Sequence, residues 1–94
     1  MEPCGELSEA GCWKLYVLRC ADGTLYAGIT NNLERRLQQH VEGRGARYTR
    51  GRGPLVLAAS WGCSDRAAAL RAEARFKRLP RTRKLRALAS PTLP

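Results

Sequence analysis

Residues 15–40 read LYVLRC, ADGT, LYAGIT and NNLERRLQQH in direct succession. Two runs of β-branched, aliphatic and aromatic residues flank Asp22-Gly23, the strongest short-range signal for a β-hairpin. The closing loop decides which side chains share a face. A two-residue loop at Asp22-Gly23 pairs Cys20 with Leu25 and Tyr16 with Ile29, and sends Tyr16 and Tyr26 to opposite faces. A three-residue loop of Ala21, Asp22 and Gly23, with Gly23 left-handed in a bulge, pairs Leu18 with Tyr26 instead. Both tyrosines then share one face and Gly28 lies opposite Tyr16. The sequence permits either register.

The hairpin leads into a charged helix. Asn31 or Asn32 can cap it, since a short side-chain oxygen satisfies a free amide of the first turn, and Gly43 is a natural stop. At 100° per residue Leu33, Leu37 and Val41 form the apolar stripe. Arg36 and His40 fall along one edge of that stripe, while Glu34, Arg35, Gln38, Gln39 and Glu42 point away. Arg36 is thus the inward member of an adjacent arginine pair, where a guanidinium needs a partner or must snorkel. Two tyrosines, an arginine and a histidine lie within this short stretch. Such groups serve phosphodiester cleavage when gathered near one phosphate.

Beyond the helix, residues 43–54 read GRGARYTRGRGP, with Arg44, Arg47, Arg50 and Arg52, the aromatic Tyr48 and no acid. Glycine lets backbone amides approach phosphates, arginine grips them bidentately, and Tyr48 can stack on a base or sugar. Residues 55–61, LVLAASW, read as a third strand, apolar enough for the middle of a small sheet or for a seat against a helix. Ser64 can cap the next helix, with Asp65 in its first turn. Ala69, Ala72, Phe76 and Leu79 line one face of that helix, and Glu73 flanks it. Glu73 is the only acid from residue 66 to 94, against nine Lys or Arg. On local grounds it forms an i,i+4 pair with Lys77, worth about 0.2 to 0.5 kcal/mol. Pro80 ends the helix and RTRKLRALA makes a short basic one.

The chain has 94 residues and a formal charge of +9, with a pI near 10.3. Its length suits one domain with a modest core. The clustered charge points to a polyanion, with nucleic acid as the default partner. Residues 1–12 carry three of the eight acids and no apolar run of signal or membrane length, so no membrane partner is expected. They are read as a poorly ordered lead, residues 13–89 as the domain and 90–94 as a tail with nothing to hold it. Cys4, Cys12, Cys20 and Cys63 include no C-x-x-C pair, which suits reduced thiols in a cytoplasm. The element order is ββαβαα, an α+β arrangement.

LYV, then YAG ten residues on, then N-L-E-R-R with His40 four residues after the second arginine, resembles a GIY-YIG nuclease domain of the small standalone YhbQ-like group. The likeness runs on through GARYTRGRGPL and the helix around Glu73 to LPRTRK, about residues 13–86. LYV stands where GIY is usual and YAG where YIG is usual, with both tyrosines and Gly28 retained.

The resemblance implies a three-stranded antiparallel sheet flanked by helices, and a metal-dependent endonuclease acting on DNA, in repair or in processing structured DNA. Glu73 matches the single metal-binding glutamate, for Mg²⁺ or Mn²⁺. Arg36 would hold the scissile phosphate, Tyr16 or Tyr26 would activate water, and His40 would orient a tyrosine or share its proton. A phenol titrates near 10 unperturbed, so the base needs nearby cations to lower its pKa. The five side chains are expected on one concave surface. Arg44, Arg47, Tyr48, Arg50, Arg52 and Lys77 are expected to bind nucleic acid, and Gly23 and Gly28 to be structural. The competing readings are a nucleic-acid-binding module that cleaves nothing and a domain that binds acidic proteins.

Overall fold

The computed structural model describes residues 13–42 and 54–90. Within them the chain runs β1 (Trp13–Arg19), β2 (Leu25–Thr30), α1 (Leu33–Val41), β3 (Val56–Cys63), α2 (Arg66–Arg78) and α3 (Arg81–Ala87). The strands form one antiparallel sheet in the order β2-β1-β3. This is the expected three-stranded α+β architecture. Residues 1–12, Gly43, the arginine-rich stretch through Arg52 and the end of the chain from residue 91 lie outside the described residues.

The hairpin takes the longer loop. Gly23 is at φ 86°, its N–H donates to the Cys20 carbonyl at 2.9 Å, and the Cys20 N–H donates to the Thr24 carbonyl at 2.9 Å. Only glycine enters that left-handed region without strain. Asp22 holds the turn from the side, its Oδ1 accepting from the Thr24 N–H at 3.1 Å and the Thr24 hydroxyl at 2.6 Å. Leu18 therefore pairs with Tyr26 and Tyr16 with Gly28, which puts the two tyrosines on one face.

The third strand does not sit in the middle of the sheet. It is an edge strand, with Val56 58% and Leu57 40% exposed, and only Trp61 and Cys63 of its side chains are buried. The central strand is β1, where Leu15, Tyr16, Val17 and Leu18 are all buried in succession. An unbroken apolar and aromatic run is the signature of a strand covered on both faces. The pairing of β1 with β3 shifts between Val17 and Leu18, leaving Ala58 as the extra residue of a bulge.

The two faces of the sheet are covered differently. Leu15, Val17, Ala27, Trp61 and Cys63 pack with Ala69, Ala72 and Phe76 of α2 in one buried cluster. The alternate residues, Tyr16, Leu18, Tyr26 and Gly28, face α1. Asp65 rather than Ser64 caps α2, accepting from the Ala68 N–H at 2.8 Å; its longer reach places an oxygen over the third amide. Asn32 caps α1 through Arg35 N–H at 3.1 Å. Val41, expected on the apolar stripe, is 72% exposed, and His40 beside it is the residue that the last turn buries. Ser90, expected in an unheld tail, has its carbonyl bonded by Trp61 Nε1 at 3.0 Å. Arg81 ties α3 to the hairpin loop by donating from Nη2 to the Gly23 carbonyl at 3.0 Å. Cys20 and Cys63 are buried thiols that form no disulfide among the described residues.

Candidate active site

The centre of the polar face is the Tyr16 hydroxyl. It lies 3.0 Å from His40 Nε2 and accepts a hydrogen bond from Arg36 Nε at 3.3 Å. Strand β1 supplies the tyrosine, and α1 supplies Arg36 and His40 one turn apart. That is the spacing that sets two side chains on one helical edge. Gly28 makes the approach possible: a Cβ there would stand 2.7 Å from the Tyr16 oxygen and 2.8 Å from its Cζ. Tyr26 completes an aromatic group, its ring centroid 6.4 Å from Tyr16 and 5.5 Å from His40.

Burial separates the members. Tyr16 is fully buried and His40 is 4% exposed, whereas Tyr26 and Arg36 are half-buried. A crevice of about 140 Å³, lined by Thr30, Asn31, Asn32, Arg35, Arg36 and Gln39, opens beside Arg36. Arg36 also donates from Nη1 to Gln39 Oε1 at 3.0 Å. The inward arginine thus has a phenol and an amide as partners rather than a carboxylate. Gln39, expected to point away, turns back because it sits three residues on, within reach of the guanidinium.

The electrostatics follow from this burial. Loss of solvation pushes the Tyr16 phenol above its usual 10; the Arg36 hydrogen bond and charge oppose this without overcoming it, and the charges of Tyr26 and Glu73 reinforce it. The expectation that nearby cations lower the base's pKa fails for Tyr16, because burial outweighs one guanidinium. Desolvation, with Arg36 adding to it, holds His40 below 6.5 and therefore neutral at pH 7. Arg36 is more firmly protonated than usual, chiefly through its bond to Tyr16 and despite desolvation.

Tyr16, Tyr26, Arg36 and His40 come together. Glu73 belongs to α2, whose Ala69, Ala72 and Phe76 pack on the other face of the sheet, and its charge reaches the Tyr16 phenol. Its carboxylate pairs with Lys77 Nζ at 3.2 Å, the carboxylate side chain 19% exposed. Lys77 shares a cavity with Tyr26 on the edge strand β2. Glu73 therefore leaves α2 on the flank that borders this edge, and Tyr26 is the residue common to both groups. Its influence on the Tyr16 phenol is the weakest of the five acting there.

Among the described residues no group of three or more His, Cys, Asp or Glu is gathered to hold a metal. A lone half-buried carboxylate that already holds a cationic partner fits a hard cation that keeps most of its waters and takes its remaining ligands from a phosphate. No described helix is long and apolar enough to cross a membrane. Arg44, Arg47, Tyr48, Arg50 and Arg52 lie outside the described residues. Sequence reasoning missed Gln39, and it missed Lys84, which lines the cavity beside Tyr26 and Lys77. The i,i+3 spacing could have found Gln39; nothing local marks Lys84 among the other basic residues of α3.

The model of the GIY-YIG catalytic domain matches residues 12–86. The UPF0213 protein of Nitratidesulfovibrio vulgaris is 54% identical over 88 residues, covering 94% of this chain and 78% of that protein. The UPF0213 protein YhbQ of Shigella dysenteriae serotype 1 is 51% identical over 80 residues, covering 85% and 80%. The solution NMR structure of EF2693 from E. faecalis superposes with a TM-score of 0.59 at 40% identity, over 82% of each chain. The chain is thus a member of the GIY-YIG family of nuclease domains, in the group of the UPF0213 and YhbQ proteins.

Proposed function

We propose that this protein is a metal-dependent endonuclease that hydrolyses phosphodiester bonds in DNA, with Tyr16, Tyr26, Arg36 and His40 as its catalytic cluster and Glu73 as its metal ligand. The observation that carries the reading is the Tyr16 hydroxyl held between Arg36 and His40, with half-buried Tyr26 beside them.

Within this reading the buried and the accessible members have different work. Arg36 can only donate, so the Tyr16 oxygen accepts from it and the phenolic hydrogen goes to His40 Nε2. His40 is then the neutral tautomer with its proton on Nδ1. Tyr16, sealed and protonated, fixes the guanidinium and the imidazole in place. Arg36, reached through its crevice, grips the scissile phosphate and strengthens that grip as charge builds on its oxygens. Tyr26, accessible and against the His40 ring, receives the proton of the attacking water. Glu73 would hold the Mg²⁺ or Mn²⁺, which supplies charge neutralisation at phosphorus and at the leaving oxygen. For Glu73 to do so, Lys77 must release the carboxylate. A helical i,i+4 pair with an exposed lysine is worth about 0.2 to 0.5 kcal/mol, so its release costs little beside the binding of a cation.

The Glu73–Lys77 pair also suits the rival reading, a nucleic-acid-binding module in which Glu73 is merely a surface ion-pair partner. Incubation with end-labelled duplex, flap and single-stranded DNA, with and without Mn²⁺, separates the two. Cleavage only with Mn²⁺ is expected. Glu73→Ala should abolish it while leaving metal-free DNA binding equal or tighter, since a negative charge has been removed. Retention of the parent cleavage rate in Glu73→Ala would place the metal elsewhere, and binding without cleavage by the parent would favour the module.

A further inference from the structure

A cavity of about 200 Å³ opens on the β2 edge, lined by Leu25, Tyr26, Ala27, Phe76, Lys77 and Lys84. Its floor is apolar and fixed, because Phe76 is 1% exposed and Ala27 is 5% exposed. Two lysines line it, Lys77 with its ammonium paired to Glu73 at 3.2 Å, and no acid is among the lining residues. Lys84 Nζ lies 5.9 Å from the centroid of the Phe76 ring, an interaction that favours one position of a flexible side chain. Arg81, one turn earlier in α3, is anchored to the Gly23 carbonyl at 3.0 Å, so the helix that carries Lys84 is tied to the hairpin that carries Tyr26. The volume is below the roughly 300–1,000 Å³ of sites that enclose drug-sized molecules. It admits a phosphate with part of its sugar, not a whole nucleotide.

We propose that this cavity is a phosphate subsite, in which Lys84, joined by Lys77, binds the DNA phosphate next to the scissile one while the sugar lies against the partly exposed Leu25 and Tyr26. The inference rests on the nuclease reading and deepens it, for Tyr26 belongs to both sites and sets the subsite within about one nucleotide of the catalytic cluster. Lys84 contributes there what the sequence alone assigned to no residue of α3. Lys77 joins when it leaves Glu73, so a strand in the subsite and a free Glu73 carboxylate favour one another.

The test measures binding of fluorescein-labelled duplex DNA in EDTA, across a salt series, for the parent, Lys84→Gln, Lys84→Arg and Arg83→Gln. Arg83 is one residue away on the same helix but lines a different cavity, with Leu79 and Arg86. Loss of one phosphate contact lowers the salt slope by about 0.9, which corresponds to about fivefold weaker binding at 0.15 M salt. Lys84→Gln should show that loss, Lys84→Arg should restore most of it, and Arg83→Gln should lose less than half as much.

A set of duplexes with a single neutral methylphosphonate at successive positions supplies the second readout. One position beside the cleavage site should weaken the parent about fivefold and leave Lys84→Gln unaffected. Thermal melting confirms that each variant is folded, and the methylphosphonate series on the parent and Lys84→Arg decides the matter if Lys84→Gln is not. Equal losses for Lys84→Gln and Arg83→Gln, or no position beside the cleavage site at which charge removal matters, would overturn the subsite alone. A parent that neither binds nor cleaves DNA would overturn the nuclease reading itself.

Discussion

The two faces of this sheet solve opposite problems. On the α2 face, Leu15, Val17, Ala27, Ala69, Ala72 and Phe76 bury apolar surface against one another. Each large side chain there contributes about 1.5–3 kcal/mol by leaving water. On the α1 face a phenol, an imidazole and part of a guanidinium are taken out of water, which is costly unless each polar atom finds a partner. Hydrogen bonds supply those partners: Arg36 to Tyr16, Tyr16 with His40, Arg36 to Gln39. Among the described residues no buried side-chain nitrogen or oxygen lacks one. One face holds the fold together so that the other can hold ionisable groups in fixed positions. Replacing residues on either face should therefore fail in distinguishable ways.

The largest effect on stability is expected from the apolar face. Phe76→Ala should destabilise the protein by about 3–5 kcal/mol, read as a lower denaturant midpoint. A loss near 1 kcal/mol would mean that α2 is not the main source of stability. Next comes the polar face. Gly28→Ala presses a methyl into the Tyr16 ring, and overpacking of this kind costs about 1–3 kcal/mol. It should also move Tyr16 away from Arg36 and His40, so cleavage should fall further than stability does. An alanine at position 28 that left both unchanged would remove the reason given for glycine there.

The smallest effect concerns pH. His40 is the chain's single histidine and its pKa is lowered in the fold, first by burial and then by Arg36. The unfolded chain therefore binds a proton near 6.5 that the folded chain still refuses. Stability is complete above about pH 6.5 and is lost as pH falls from there towards the folded value. Melting temperatures between pH 7.5 and 5.5 should decline for the parent, and His40→Gln should flatten that decline. A parent whose stability rises on acidification would show that His40 gains a proton on folding, contrary to its buried neutral state.

The hairpin and the second face were legible in different degrees. Asp22-Gly23 marked the turn, yet the register stayed open because two-residue and three-residue loops suit the same residues. The pairing of Cys20 with Thr24 and of Tyr16 with Gly28 settles it, and with it the shared face of Tyr16 and Tyr26. Helical spacing was enough to pick Arg36 over Arg35. The same spacing misjudged Val41, because the last turn points His40 rather than Val41 inward, and Gln39, because a long polar side chain can curl back to a neighbour. For β3 the apolar run left two seats open, the middle of the sheet or a place against a helix; the strand takes an edge with Trp61 and Cys63 against α2, and the run of four buried residues in β1 marks the strand that is covered twice. Glu73 illustrates a further limit. Its pairing with Lys77 follows from i,i+4 spacing alone, while its place on the β2 edge depends on how α2 crosses the sheet, and no local pattern encodes that.

The most direct test of the polar face as a catalytic centre is the single-turnover cleavage rate of labelled duplex DNA in Mn²⁺, measured for the parent, Arg36→Ala and Arg35→Ala, with melting used to exclude unfolding. Arg36 bonds Tyr16 at 3.3 Å, whereas Arg35 is exposed. Arg36→Ala should lose about two to three decades in rate, roughly 3–4 kcal/mol of transition-state stabilisation, with a smaller loss of binding. Arg35→Ala should lose only a little salt-dependent affinity. Equal damage from the two substitutions, or a parent that leaves every DNA intact, would contradict the account.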